Sequence, residues 1–339
     1  MARDRRRIPR LTRSAALIAT ACKDRVTPSL QFAPDRKAAK DCWSHSMNRA
    51  FRLIVQLGIL SLATWNIAFG EDASIVSITT PRGVQQSFIL IKPEHAIASV
   101  ILFAGGGGNL RLSRTPPPQV GPYAFVAGNF LVRSREKFAA HDFMVAVIDA
   151  PSDQQRGMSG SFRLSTEHAI DIGAIADYLK RQADVPVWLV GTSAGSWSAA
   201  RGAIAAGRDG IAAGSIDGLV LTSTVTRIAP GSSLARRFPE FARDYPDGVI
   251  SMALPEIKLP TLIVSHEEDA CEFTPAADAP ALAKRLTGAA RVATVLLSGG
   301  DPPISDPCEA YAAHGYYGIE EQAVDRIAEF ITANSKRGP

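Results

Sequence analysis

The chain reads as one α/β domain, a mostly parallel sheet with helices on both faces. From Ala73 onward, short apolar runs alternate with stretches of helical period, the pattern of strands joined by crossover helices. The central runs are continuously apolar rather than alternating, as strands covered on both faces require. No repeat, low-complexity tract or linker divides residues 71–339 into further domains.

The chain begins with a segment expected to be disordered. Residues 1–46 hold eleven Lys/Arg and four Asp/Glu with no periodic apolar pattern, too little apolar surface to fold around. The character changes at Met47. Arg49 and Arg52 make a short basic region, residues 53–63 are apolar apart from Gln56 and Ser61, and Ala68, Phe69 and Gly70 end the stretch with small residues. This is the make-up of a secretory signal peptide over 47–70. We therefore expect translation to start at Met47, residues 1–46 to be an extension of the gene model, and the mature protein to be periplasmic or secreted. The apolar stretch is shorter than the roughly 20 residues needed to span a bilayer, so no stable membrane span is expected after cleavage. The whole chain carries a net charge of +4, but the basic excess sits in residues 1–52 and the remainder is net acidic. A nucleic-acid partner is therefore not expected, because no basic stripe interleaved with aromatics is left.

In the mature part, 74–78 and 86–91 flank Pro81, Arg82 and Gly83 and predict an edge hairpin. Central strands are expected over 98–103, 143–148, 185–190, 218–221, 261–264 and 291–297. Helical spacing of Ile170, Ile172, Ile175 and Leu179 predicts a helix over 168–182, and that of Val324, Ile327 and Ile331 another over 320–333. An alanine-rich helix follows Ala194, with Gly207 as its stop. Residues 110–126 and 226–249 are longer than simple connections need and are expected to form a lid or pocket walls. Tyr123, Phe125, Phe238, Phe241 and Tyr245 are candidates to line an apolar acyl pocket.

Residues 191–195 read Gly-Thr-Ser-Ala-Gly between an apolar strand and the alanine-rich helix. A serine on a sharp strand-to-helix turn, flanked by residues small enough to avoid its neighbours, marks Ser193 as a candidate nucleophile. Attack by a hydroxyl requires a base to take its proton and donors to receive the oxyanion. Four glycines, 105–108, follow the strand 98–103. They let backbone amides approach a substrate oxygen, so Gly105, Gly106 and Gly107, with the amide of Ala194, are the candidate oxyanion hole. The run is not a P-loop, since Asn109, Leu110 and Arg111 follow where Lys and Ser/Thr belong, and it lacks the third glycine of a dinucleotide fingerprint.

The acid is expected just after a late strand, where Glu267, Glu268 and Asp269 follow 262–264; Asp269 is favoured and Glu268 is the alternate. The base is sought after the acid, the chain order used with strand–turn–helix serines, and only His314 follows Asp269. Cys271 and Cys308, the two cysteines of the mature part, are expected to pair as one disulfide tethering the acid loop to the base loop. No His/Cys spacing suggests a metal site, and no cofactor is expected.

These motifs, with Asp149-Ala150-Pro151-Ser152-Asp153 after a strand, the segment ending at Cys271 and His314-Gly315-Tyr316-Tyr317-Gly318, resemble the α/β-hydrolase family, specifically its small exported bacterial members, over roughly residues 73–335. The resemblance implies the α/β-hydrolase fold, an eight-stranded mostly parallel sheet, and ester or amide hydrolysis without a cofactor. One departure is that no histidine precedes the glycine run. The expected function is that of a carboxylesterase-like serine hydrolase acting on a small-molecule ester. The alternatives are a peptidase or acyltransferase using the same Ser193, His314 and Asp269, or a hydrolase-fold protein that binds a ligand without turnover.

Overall fold

The computed structural model describes residues 73–112, 127–208 and 215–335, all within the unit Phe69–Pro339. The expected extension 1–46, the expected signal peptide 47–70 and residues 113–126 lie outside the described residues.

Eight strands form one sheet: β1 (Ser74–Thr79), β2 (Gln85–Ile91), β3 (Ala98–Phe103), β4 (Phe143–Ile148), β5 (Val187–Ser193), β6 (Gly218–Thr224), β7 (Thr261–His266) and β8 (Val292–Leu297). Their spatial order is β1-β2-β4-β3-β5-β6-β7-β8. The hairpin strand β2 is antiparallel to both neighbours, and all other pairings are parallel. After β3 the chain moves outward to β4, then returns to the other side of β3 for β5. This reversal opens a crevice at the carboxyl ends of β3 and β5, the general place for a ligand in an open parallel sheet.

The helices are α1 (Phe130–Arg133), α2 (Arg135–Ala139), α3 (Gly160–Arg163), α4 (Thr166–Gln182), α5 (Gly195–Arg208), α6 (Ser233–Arg237), α7 (Pro239–Asp244), α8 (Ala279–Arg285) and α9 (Glu320–Ser335). Side chains alternate across each strand, so Ile101, Phe103, Val187 and Leu189 face one core layer with Ile172, Ala199 and Leu282. Val100, Leu102, Trp188 and Val190 face the other, with Phe130, Phe138, Val324 and Ile327.

β3 and β4 coincide with the apolar runs that predict them. β5, β6 and β7 instead continue past theirs, into Gly191-Thr192-Ser193, Thr222-Ser223-Thr224 and Ser265-His266. Apart from Ser223, which the register skips at a bulge, these tips are paired in the ladder, and they are mostly buried. β5 also starts two residues late, after Pro186, which has no N–H to give a ladder but whose carbonyl accepts from Ser99 at 2.7 Å. The helix α5 runs through Gly207 rather than stopping there. A side chain at 207 would lie 2.5 Å from the Glu256 carbonyl, so close packing accounts for the glycine. Of the expected pocket aromatics, Phe241 is buried against Trp197, with ring centroids 4.8 Å apart, and Tyr123 and Phe125 lie outside the described residues.

Candidate active site

Ser193 ends β5 with φ +52°, a left-handed conformation that costs a non-glycine residue about 1–2 kcal/mol. The turn is tight because α5 starts at once and lies against β3. A Cβ at Gly195 would sit 2.0 Å from the Phe103 carbonyl, and one at Gly191 would sit 2.4 Å from the Gly195 carbonyl. Neither position tolerates a side chain, so the small residues of the pentapeptide are dictated by close backbone approach. The Ser193 side chain is half-buried.

The glycine loop leaves β3 directly beside this serine: a Cβ at Gly105 would lie 2.9 Å from Ser193 Cβ. Its carbonyls are held inside the protein. Gly105 O accepts from Gly108 N (3.1 Å) and Gly107 O from Met158 N (2.8 Å), while the carbonyls of Ala104 and Gly106 accept from Arg163 Nη2 (3.2 and 3.0 Å). The far end of the loop is tied to the tip of β4 by Asp149, whose buried carboxylate accepts from the amides of Leu110 (2.6 Å), Arg111 (3.1 Å), Leu112 (2.8 Å) and Ala150 (2.8 Å). Burial pushes the Asp149 carboxyl up, against the opposing pull of these four N–H groups.

Asp269 and His314 meet. Asp269 Oδ2 lies 3.1 Å from His314 Nδ1, and both side chains are buried. Thr274 Oγ1 donates to the same Oδ2 at 2.7 Å and lies 3.1 Å from His314 Nδ1, while Cys271 N donates to Oδ1 at 3.0 Å. A carboxylate only accepts, and the one hydroxyl proton of Thr274 is committed to it, so the proton between imidazole and acid belongs on Nδ1. Nε2 is then the basic nitrogen. Glu268, the alternate acid, is exposed and its backbone N–H donates to His266 Nδ1 at 3.1 Å. His266 Nε2 in turn bonds the Gly299 carbonyl at 2.9 Å, so this histidine fastens the acid loop.

The base loop is pinned to the strand tips. Ser223 Oγ donates to the His314 carbonyl (2.8 Å), Tyr316 OH donates to the Val264 carbonyl (2.9 Å), and Ser223 N donates to Tyr316 OH (3.1 Å). Tyr316 has φ +57° and is fully buried; burial pushes its phenol above the usual range, so it stays protonated as a donor. The next residue of β6, Thr224, is the ladder partner of Ser193. Nucleophile and base loops are thereby registered on adjacent residues of one strand. Among the described residues no hydrogen bond joins Ser193 Oγ to His314.

Cys271 and Cys308 form a disulfide, two residues after Asp269 and six before His314. Asp269, Cys271 and His314 also bring one donor atom each within 4.8 Å of one another. The set does not suit a metal ion, because a thiolate is the ligating form of cysteine and this sulfur is held in the disulfide. A cavity of about 440 Å³ flanks the acid and base loops, lined by Glu268, Ala270, Asp301, Ala313 and Tyr317 among others.

No protein-family model matches the chain, and no curated protein matches its sequence. Solved structures do match. The esterase Est22 superposes with a TM-score of 0.54 at 14% identity, covering 89% of this chain and 94% of that one. Brefeldin A esterase, a bacterial homologue of human hormone-sensitive lipase, gives 0.53 at 16% identity over 80% of both chains. The Pyrococcus furiosus esterase Pf2001 gives 0.52 at 16% identity, covering 78% and 92%. The protein has the α/β-hydrolase fold.

Within that fold, several site residues carry no local sequence signal. Thr274, Ser223, Tyr316 and Arg163 reach the site through contacts spanning from 5 to 93 residues of chain. Asp149 stands in the stretch that supports the resemblance, but nothing in the sequence says that its carboxylate caps the glycine loop. Among the described residues no helix is long and apolar enough to cross a membrane.

Proposed function

We propose that the chain is an exported serine hydrolase of carboxylesterase type, cleaving a small-molecule ester through an acyl-enzyme on Ser193, with His314 as base and Asp269 as its orienting acid. The observation that carries this reading is the buried 3.1 Å pair of His314 Nδ1 and Asp269 Oδ2 at the sheet edge that also presents Ser193 on a strained turn. The esterases of the same fold raise its standing by analogy.

His314 Nε2 takes the Ser193 hydroxyl proton as Oγ bonds to the ester carbon, and the imidazolium is balanced by Asp269. The carbonyl oxygen becomes an oxyanion facing the amides of Gly105–Gly107 and Ala194. Collapse breaks the bond to the alcohol oxygen, which leaves with the proton from His314. Water then repeats the sequence on the acyl-enzyme and frees the acid.

Export rests on the signal-like segment 47–70 and on the Cys271–Cys308 disulfide, a bond that persists in oxidising compartments. Intact mass of the mature protein is expected to show a start near residue 71, and any product retaining Arg3 to Arg13 would overturn it.

A fluorophosphonate probe and a panel of p-nitrophenyl esters test the chemistry. Wild type is expected to be labelled and to hydrolyse the esters, and Ser193→Ala to do neither. Labelling that survives the substitution would move the nucleophile elsewhere.

A further inference from the structure

Arg163, the last residue of α3, is buried to 1% exposure. Its Nη1 donates to Ser198 Oγ on α5 at 2.7 Å, and its Nη2 to the carbonyls of Ala104 and Gly106. Among the described residues no carboxylate pairs with it. Burial lowers its pKa to about 10, so it remains a cation at neutral pH. An uncompensated buried charge is heavily penalised, and an apolar side chain would fill the same space at no such cost. Packing alone therefore does not explain this residue.

Its placement does. The glycine loop lies between the guanidinium and the nucleophile: a Cβ at Gly108 would be 2.6 Å from Arg163 Nη2, whereas one at Gly105 would be 2.9 Å from Ser193 Cβ. In a planar trans peptide the C=O of one residue and the N–H of the next point in opposite directions. Directing the Ala104 and Gly106 carbonyls at Arg163 turns the N–H groups of Gly105 and Gly107 away from it. The fork of the guanidinium also ties the loop to α5 five residues past Ser193, so donors and nucleophile share one rigid brace.

We propose that Arg163 is a positioning residue of the oxyanion hole, fixing the two peptide planes whose N–H groups receive the oxyanion and polarising them with a buried positive charge. This rests on the reading of Ser193 as nucleophile and of the 105–107 amides as donors. The charge acts through peptide groups that are already aligned, so its effect falls on the transition state rather than on substrate binding.

The test compares Arg163→Met, Arg163→Lys and Ser193→Ala for kcat, KM, thermal midpoint and affinity for a trifluoromethyl ketone, whose adduct with serine carries an oxyanion. Arg163→Met is expected to lower kcat by about 100-fold, the scale of losing one oxyanion donor, and to weaken the ketone by a similar factor, with KM changed less than about threefold. Arg163→Lys, which keeps the charge and loses the fork, is expected to fall between Met and wild type. Arg163 variants with wild-type kcat and ketone affinity, beside an inactive Ser193→Ala, would overturn the positioning role and leave the serine-hydrolase reading standing. Hydrolysis surviving in Ser193→Ala would overturn that reading itself. Arg163 variants that both fail to fold, or that lose KM and kcat in equal part, would make the residue a support of the core and also overturn the proposal.

Discussion

The Ser223 hydroxyl holds the backbone carbonyl of His314 at 2.8 Å, one residue before the ladder partner of Ser193 on β6. Ser223 adopts φ +38° to do so, a conformation uncommon outside glycine that clusters where geometry is functional. Ser223→Ala keeps the backbone strain and removes the bond. We expect a stability loss of about 1 kcal/mol and a several-fold fall in kcat with KM unchanged, measured by urea denaturation and ester hydrolysis.

Thr274 donates to Asp269 Oδ2 at 2.7 Å beside His314 Nδ1. A hydrogen bond to a charged acceptor contributes about 1.5–3 kcal/mol. Thr274→Val, nearly the same shape without the hydroxyl, is expected to lower kcat/KM at least about tenfold, and Thr274→Ser to restore most of it. Equal activity in both variants would assign Asp269 and His314 enough order without this residue.

The Cys271–Cys308 disulfide closes a loop with a sequence separation of 37, for which the chain-entropy model gives about 4 kcal/mol. Paired Cys271→Ala and Cys308→Ala substitutions are expected to lower the unfolding free energy by up to that amount and to cost activity at temperatures where the fold survives. Peptide mass mapping that finds both thiols free in the protein would remove the tether from the account.

His168 is fully buried against Phe162, with ring centroids 5.2 Å apart, and neither ring nitrogen has a hydrogen-bond partner among the described residues. Burial first, then the charges of Arg163, Arg82 and Arg201, lower its pKa from 6.5 to about 3. Between these values the unfolded chain binds a proton that the folded chain does not, so this residue's contribution is present above pH 6.5 and is lost as pH falls toward 3. The loss is on the order of 5 kcal/mol over the whole window. His168→Met is expected to flatten the stability profile between pH 6.5 and 4 in urea titrations, and an unchanged slope would refute the assignment.

Legibility in the sequence follows burial. β3 and β4 match their apolar runs because both faces of each are covered and every residue is apolar or small. The ends of β5, β6 and β7 escape the same reading because hydrophobicity stops where chemistry begins: Thr222 and His266 stay in the ladder and Ser223 sits at a bulge in it, while their polar side chains bind backbone carbonyls around the site. The strained turn at Ser193 and the glycine loop are legible because only very small residues fit where backbones approach within van der Waals contact.

Residue type and spacing alone were enough to specify the sheet, the serine turn, the glycine loop, and Asp269 and His314 as acid and base candidates, since each depends on local periodicity, backbone sterics or chain order. That Asp269 rather than Glu268 faces His314, that Thr274 completes that pair, and that Arg163 lies beneath the glycine loop were decided only by the tertiary fold. Hydrogen bonds form between atoms about 3 Å apart in space, and no pattern along the chain encodes which distant residues the folded sheet will bring to that distance.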